Sequence, residues 1–179
     1  MAEPGSITDI FLLPGEVRFE SRDTRIRTLL GSCVAITLWH PRTLIGGMCH
    51  FMLPGRGTAC PVDPTSTQRP SRPEATVAMR ELDGRYADEA LGILMYRVQA
   101  AGTSPEEYEA KIFGGGNQFT DALSAGIDVA TRNVEAGLQL LAVHGFAPSA
   151  MHLGGSGHRQ VILDLWSGDV WLRHVDLEG

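Results

Sequence analysis

The chain has 179 residues, of which 43% are hydrophobic and 20% charged, and these proportions predict a single globular domain over residues 1–179. Acidic residues outnumber basic ones by 21 to 15, for a formal net charge of -6, and no basic run offers the footprint of a nucleic-acid-binding protein. No stretch approaches the roughly 18 consecutive apolar residues that span a bilayer, and the N-terminus lacks the cationic start of a signal peptide. We therefore expect a soluble, cytoplasmic protein.

The first strong pattern is strand, turn and strand over residues 25–40. Its apolar residues are interrupted by the small pair Gly31-Ser32, which is typical of a turn. Residues 44–53, with the sequence LIGGMCHFML, predict the next strand. Because side chains alternate along a strand, His50 and Cys49 are expected on opposite faces of it.

Residues 55–84 are rich in proline, threonine, serine and arginine and lack any regular period. They predict a long exposed loop, and loops of this length are often functional lids or insertions. After this loop the apolar period changes to that of a helix. Residues 86–102 and 128–145 predict two amphipathic helices, each closed by a glycine.

Residues 109–119, between the two helices, predict a strand that runs into a glycine turn. Residues 159–166 and 169–175 predict a hairpin in which Ser167-Gly168 forms a two-residue turn. At least five strands and two helices in non-alternating order favour the α+β class over a parallel sheet of alternating strands and helices.

Cys33 lies in the stretch LGSCVAI, where a turn of small residues opens into an apolar strand. Free cysteine is among the most often buried residue types, so core packing is the commoner role for such a thiol. However, Gly31 and Ser32 leave the backbone uncrowded, and a turn of this kind can aim N–H groups at one point, as an oxyanion site requires. From these residues alone, core packing and nucleophilic attack both stay open.

A nucleophilic thiol needs a base, because at its ordinary pKa of about 8.5 only a small fraction is ionised at neutral pH. His50 is the nearest candidate, although a histidine on an apolar strand is more often a hydrogen-bonded core residue. Only the pairing of His50 with Cys33 favours its role as a base over a role in the core. Cys49 faces the other way and is assigned to the core. A zinc site from Cys33, Cys49, His50 and Cys60 is an alternative, but no C-x-x-C or H-x-x-x-H spacing supports it, so no metal is expected.

Two glycine runs, GGG at residues 114–116 and GGSG at residues 154–157, are most simply interpreted as tight turns at strand ends. Neither matches the phosphate-binding pattern G-x-x-x-x-G-K-[ST], so neither predicts a nucleotide cofactor. Bare backbone lets another protein segment approach closely, which suits the walls of a cleft beside Cys33. The candidate wall residues are Gly114, Gly115, Gly116, Gly154 and Gly155.

Several blocks together resemble the CheD family, the chemoreceptor glutamine deamidases of bacterial chemotaxis. In chain order the blocks are TLLGSCVAI, IGGMCHFMLP, YADEAL, AKIFGGGNQF, ATRNVE and LGGSGHRQV. The resemblance runs from about Glu16 to Val175, which is nearly the whole chain. Because the blocks match in order, chance is a poor explanation.

The resemblance implies a cysteine amidohydrolase that converts glutamine side chains to glutamate in the cytoplasmic helices of methyl-accepting receptors, releasing ammonia without a cofactor. In the family the cysteine of the LGSC block is the nucleophile, here Cys33, and the histidine before the Met-Leu-Pro block is the base, here His50. A threonine shortly before the cysteine completes the triad. Thr28 is the matching hydroxyl, while some members carry it one residue upstream, where this chain has Arg27. Backbone N–H groups near Ser32 and Cys33 would hold the oxyanion.

The fold implied by the resemblance is α+β, with two packed β-sheets covered by helices, similar to the catalytic domain of the cytotoxic necrotizing factor toxins. The implied partners are methyl-accepting chemotaxis receptors, and a CheC-type phosphatase is a further candidate partner because some family members bind one. Two alternatives stay open. One is receptor glutamate methylesterase activity through the same thioester, and the other is a non-catalytic adaptor, against which the presence of both Cys33 and His50 argues.

Overall fold

The computed structural model describes residues 4–56, 82–118 and 128–176. Within these residues the chain forms nine strands and two α-helices. The strands are β1 Thr8–Phe11, β2 Val17–Glu20, β3 Thr24–Leu30, β4 Val34–Trp39, β5 Gly46–Phe51, β6 Glu109–Gly114, β7 Ala150–Leu153, β8 His158–Asp164 and β9 Asp169–Val175, and the helices are α1 Ala87–Ala100 and α2 Val129–Val143. The loop predicted over residues 55–84 falls almost wholly on residues 57–81, outside the described part of the chain.

The strands form two mixed sheets. The four-stranded sheet has the order β1-β3-β8-β9, and the five-stranded sheet has the order β2-β5-β4-β6-β7. Both helices pack on the five-stranded sheet, α1 against β2 and β5 and α2 against β4 and β6. The predicted α+β class with two packed sheets is therefore confirmed. No helix of the described residues is long and apolar enough to cross a membrane.

Side-chain alternation along β4 and β5 divides the interior into two cores. The helix-side core lies between the five-stranded sheet and the helices and includes Val34, Ile36, Cys49, Phe51, Leu94 and Leu141. The inter-sheet core lies between the two sheets and includes Ile26, Leu30, Ala35, Met48, Phe113 and Val161. Met48 and Cys49 thus face opposite ways, as the strand period predicts.

The two predicted helices are confirmed, and their ends follow from local sequence. The Asp128 carboxylate accepts a hydrogen bond from the Thr131 N–H at 3.1 Å, which caps the start of α2. Gly145, with φ of 82°, follows its last turn. Gly137 allows a close approach of α2 to the sheet, because a Cβ there would lie 2.8 Å from Ile112 Cδ1.

The hairpin between β8 and β9 differs from its prediction. Asp164 pairs with Asp169, so four residues, 165–168, form the connection, and the predicted two-residue turn is wrong. Apolar packing explains the longer loop. Leu165 is fully buried in the inter-sheet core, and its carbonyl accepts a hydrogen bond from the Trp39 indole N–H at 2.8 Å. Both interactions draw the chain inward before the strand can continue.

Candidate active site

Cys33 follows β3 and directly precedes β4, at one end of the five-stranded sheet. We call residues 31–33 the Cys33 turn. Backbone N–H groups of the first glycine run hold two of its carbonyls: the Gly115 N–H donates to the Cys33 carbonyl at 2.8 Å, and the Gly116 N–H donates to the Gly31 carbonyl at 2.9 Å. The turn is therefore fixed against the end of β6.

The Cys33 thiol is partly exposed and packs against the inter-sheet core. Burial raises its pKa above the ordinary value, while hydrogen bonds from the Ser32 hydroxyl and from the Cys33 backbone act in the opposite direction. The resting thiol is thus protonated at neutral pH. A base must remove its proton before it can attack a carbon atom.

His50 lies on β5 directly opposite Ala35 of β4, and its side chain is 1% exposed. Because Ala35 and Cys33 are two residues apart, they point to the same side of the sheet. His50 and Cys33 are therefore diagonal neighbours on the inter-sheet side, a relation within reach of side-chain contact. The structure thus brings the two predicted residues to one face of one strand pair.

Thr28 reaches His50 from the opposite sheet. It lies on β3 and is fully buried. Its hydroxyl donates to the Leu12 carbonyl at 2.8 Å and lies 2.8 Å from His50 Nδ1. By contrast, Arg27 turns outward and pairs with Asp9 at 2.8 Å, so position 28 rather than 27 supplies the hydroxyl beside the histidine.

These two hydrogen bonds decide the tautomer of His50. A hydroxyl has one proton, and Thr28 gives it to the Leu12 carbonyl. Thr28 Oγ1 must therefore accept from His50 Nδ1–H, which leaves Nε2 with a lone pair. Nε2 is buried and has no hydrogen-bond partner among the described residues. Burial lowers the pKa of His50 from 6.5 to about 4, so the imidazole is neutral at physiological pH.

Cys49 lies on the opposite side of β5 from His50. Cys49 is fully buried in the helix-side core, and burial raises the pKa of its thiol to about 12. Its assignment to the core is confirmed. Cys60 lies outside the described residues. In the described part of the chain, no group of three or more His, Cys, Asp or Glu side chains is placed to hold a metal ion.

The predicted cleft glycines gather beside the Cys33 turn. A Cβ on Gly114 would lie 2.2 Å from the Cys33 carbonyl oxygen, so only glycine permits this approach. The Gly154 N–H donates to the Gly114 carbonyl at 3.0 Å, and the Gly155 carbonyl accepts from the Asn117 N–H at 2.7 Å. The two runs are thus joined to each other and to the turn. Their role as cleft walls stays a prediction.

Asn133 on α2 is a polar contact of the Cys33 turn that sequence reasoning missed. Its side-chain amide donates to the Ser32 carbonyl at 3.2 Å and to the Met52 carbonyl at 2.8 Å. The apolar pattern places the buried face of α2 on Val129, Ala130, Val134, Leu138 and Leu141, whereas the buried residues are Ala130, Asn133, Gly137 and Leu141. The apolar pattern identifies only half of this buried face, because glycine and asparagine occupy the other half.

Arg159 is a second buried polar residue near the turn that the sequence did not single out. It is 1% exposed and lies opposite Leu30, the last residue of β3. Its guanidinium donates to His152 Nδ1 at 2.8 Å and to the Gly154 carbonyl. Arg159 thus holds the second glycine run in place, and its buried charge gave no signal in the strand pattern.

The sequence of the chain is similar to those of several known proteins. Residues 70–174 match a family described as CheD chemotactic sensory transduction. A protein of Dechloromonas aromatica named "Probable chemoreceptor glutamine deamidase CheD 3" is 48% identical over 96% of this chain and 90% of its own length. A Pseudomonas savastanoi protein named "Probable chemoreceptor glutamine deamidase CheD" is 49% identical over 99% of this chain and 91% of its own. A Leptospira interrogans relative with the same name and the number 1 is 31% identical over 97% of each chain. The chain therefore belongs to the CheD family.

Proposed function

We propose that this protein acts in the cytoplasm as a glutamine deamidase of chemotaxis receptors, with Cys33 as its nucleophile. The observation that carries the proposal is the hydrogen bond between Thr28 and His50 Nδ1. It leaves the lone pair of His50 Nε2 on the side of the sheet that also carries the Cys33 thiol. The relatives named as chemoreceptor glutamine deamidases support the choice of substrate.

The first half of the reaction is acyl transfer to the thiol. His50 Nε2 takes the proton of Cys33 as Sγ attacks the carboxamide carbon of a receptor glutamine. The tetrahedral intermediate then collapses, the C–N bond breaks, and the proton on His50 passes to the departing ammonia. A γ-glutamyl thioester remains on Cys33.

The second half releases the product. His50 Nε2 removes a proton from a water molecule, the water oxygen attacks the thioester carbon, and the C–S bond breaks. The proton returns to the Cys33 sulfur, and the receptor keeps a glutamate side chain. Thr28 accepts from His50 Nδ1–H in both halves and so keeps Nε2 as the nitrogen that exchanges protons, as the third member of a triad does.

The raised pKa of the thiol and the lowered pKa of the imidazole support proton transfer during attack. Both groups are neutral at rest, so the charges arise only as the reaction begins. In this respect the pair resembles a serine–histidine pair more than a preformed thiolate and imidazolium. Backbone N–H groups of Ser32 and Cys33 are the proposed donors to the oxyanion, and losing one such donor typically slows a reaction about 100- to 1,000-fold.

The substrate glutamine must be reached on a folded receptor helix, which calls for an open cleft. Partial exposure of Cys33 at the edge of the sheets suits this requirement. The glycines of the two runs, 114–116 and 154–155, add no side chains beside the Cys33 turn, so they are the proposed walls of the cleft. Met52, 36% exposed beyond the end of β5, offers apolar surface at the same edge.

The test is to incubate the purified protein with a receptor cytoplasmic fragment and map Gln-to-Glu conversion by peptide mass spectrometry. Cys33→Ala and His50→Ala are expected to abolish conversion, because they remove the nucleophile and the base. Full conversion by Cys33→Ala would contradict the proposed mechanism. A non-catalytic adaptor, for receptors or for a CheC-type phosphatase, predicts instead that Cys33→Ala keeps the biological effect.

A glutamate methyl ester gives the same γ-glutamyl thioester, so receptor methylesterase activity is a second candidate for this site. Its product is methanol instead of ammonia. A methylated receptor fragment assayed for methanol, beside the glutamine form assayed for ammonia, separates the two activities. Both must disappear in Cys33→Ala if one thiol serves both.

A further inference from the structure

Asn133 makes a pair of contacts that no apolar residue could make. Its side chain is fully buried on α2, and its Nδ2 donates to both the Ser32 and the Met52 carbonyls. Its Oδ1 has no hydrogen-bond partner among the described residues. An unsatisfied buried acceptor opposes folding. The value of an asparagine here therefore lies in its two donated hydrogen bonds.

One of those bonds controls the direction of the peptide between Ser32 and Cys33. This peptide is trans, so its C=O and N–H groups point in opposite directions. The Ser32 carbonyl points toward α2, on the helix side of the five-stranded sheet. The Cys33 N–H consequently points away from α2, toward the inter-sheet side on which the Cys33 thiol packs.

The position of the Cys33 N–H beside its own thiol agrees with this direction. A hydrogen bond from the Cys33 backbone is among the causes that lower the pKa of that thiol. When the thiol attacks a carboxamide, the substrate oxygen becomes negative within reach of the attacked carbon. An N–H on the same side as the sulfur is then placed to receive it.

We infer that Asn133 is a positioning residue for the reaction, because it holds the Ser32–Cys33 peptide with its N–H toward the developing oxyanion. The inference rests on the proposed acyl-transfer chemistry at Cys33. A flipped peptide would remove the donor and turn the Ser32 carbonyl oxygen toward the same negative charge. Asn133 makes that flip unfavourable without touching the substrate.

Of the three carbonyls in the Cys33 turn, only that of Ser32 is held by a side chain of the described residues. Gly115 and Gly116 hold the Cys33 and Gly31 carbonyls through their backbone N–H groups, which no substitution except proline removes. The Ser32 carbonyl, between them, is held by a side-chain amide. The second bond, to Met52 just after β5, fixes the same amide to the strand that carries His50.

Two substitutions remove the hydrogen bonds that the Asn133 amide donates. Asn133→Asp keeps the size of the side chain but replaces the donating NH₂ with a carboxylate oxygen, which repels both carbonyls. Asn133→Ala removes the amide and introduces no charge, so it serves if the aspartate variant does not fold. Leu141→Ala is the matched control, because Leu141 is fully buried on the same face of α2 and contributes to the core without holding the turn.

Two small reagents separate positioning of the oxyanion donor from reactivity of the thiol. Iodoacetamide alkylates Cys33 by displacement of iodide and forms no oxyanion. p-Nitrophenyl acetate acylates it through a tetrahedral oxyanion, as the C–O bond to nitrophenolate breaks. Asn133→Asp and Asn133→Ala should slow acylation at least ~10-fold, toward the ~100- to 1,000-fold of a lost donor, and leave alkylation within ~3-fold.

The same variants should lower kcat for deamidation by a similar factor with little change in KM, while Leu141→Ala should leave the ratio of acylation to alkylation at the wild-type value. Urea unfolding of each variant verifies that folded protein is assayed. Equal losses in both reactions, or an unchanged ratio in both Asn133 variants, would overturn the inference. If wild type is acylated but leaves receptor glutamine intact, the proposed substrate fails and the role of Asn133 stands.

Discussion

Replacing Thr28 by valine removes the hydroxyl that orients His50 and keeps the size and β-branching of the side chain. Thr28 is fully buried, so water cannot take the place of the lost hydroxyl. Two groups lose the hydroxyl as a partner, namely the Leu12 carbonyl and His50 Nδ1–H, each of which lies 2.8 Å from the hydroxyl oxygen. We expect Thr28→Val to fold and to lose both stability and deamidase activity.

The magnitude follows from those two hydrogen bonds. Each neutral bond contributes about 1 kcal/mol, so the free energy of unfolding should fall by about 2 kcal/mol, and by less if the Leu12 carbonyl and His50 Nδ1–H pair more closely with each other. Only the bond to His50 bears on the reaction. Its loss lowers the preference of His50 for the Nδ1-protonated tautomer by about 1 kcal/mol, which corresponds to roughly a 5-fold fall in kcat. The fall is larger if the ring also rotates. KM should stay the same because Thr28 does not touch the substrate.

The assay combines deamidation kinetics with nitrogen NMR of His50. In wild type the protonated nitrogen should be Nδ1, and in Thr28→Val the Nε2-protonated form should become populated. Thr28→Ser keeps a hydroxyl and should keep the tautomer. Thr37→Val is the control, since Thr37 is also buried, on β4, and should lose stability alone. A Thr28→Val protein with wild-type kcat and Nδ1 still protonated would refute the orienting role of the hydroxyl.

Three further predictions concern stability and access. Because burial lowers the pKa of His50 from 6.5 to about 4, the unfolded chain binds a proton between these pH values that the folded protein does not. The free energy of unfolding is therefore not lowered by His50 above pH 6.5, and it falls by about 3 kcal/mol as the pH drops to 4. Urea titrations should show a smaller decline in His50→Gln. Cys49, fully buried with a pKa of about 12, should resist iodoacetamide in folded protein while Cys33 reacts, as peptide mapping would detect. Gly137→Ala should destabilise the protein by less than about 2 kcal/mol in thermal or urea unfolding, because the new Cβ meets Ile112 Cδ1 at 2.8 Å while the higher helix propensity of alanine offsets about 1 kcal/mol of that strain.

The sequence predicted those features that depend on neighbouring residues. Alternation along residues 44–53 separates His50 from Cys49 whatever the rest of the fold does. The helical period and closing glycines predict both helices for the same reason. The strands β1, β2 and β7 were not predicted, since each has four residues and so short a segment carries little periodic signal.

The contacts that assemble the candidate site depend on packing between distant segments, which a single sequence does not specify. Thr28 and His50 are 22 positions apart and meet only because two sheets stack. Asn133 contacts Ser32 across 101 positions. Family resemblance predicted Thr28, whereas local reasoning about residues could not choose it. Asn133 escaped both, because a polar side chain on a helix is normally taken for a solvent-exposed one.

The stacking of the sheets also ties the appearance of activity to the last stages of folding. Cys33 directly precedes β4, which pairs with the neighbouring strand β5 that carries His50. Thr28 belongs to β3, whose partner β8 lies far along the chain, with Arg25 and Asp164 joined across 139 positions. Contacts over such separations form late because loop closure must come first. A partly synthesised chain therefore contains Thr28, Cys33 and His50 before β8 is present to pair with the strand that carries Thr28. In the proposed triad, the base becomes competent only when the two ends of the chain have met.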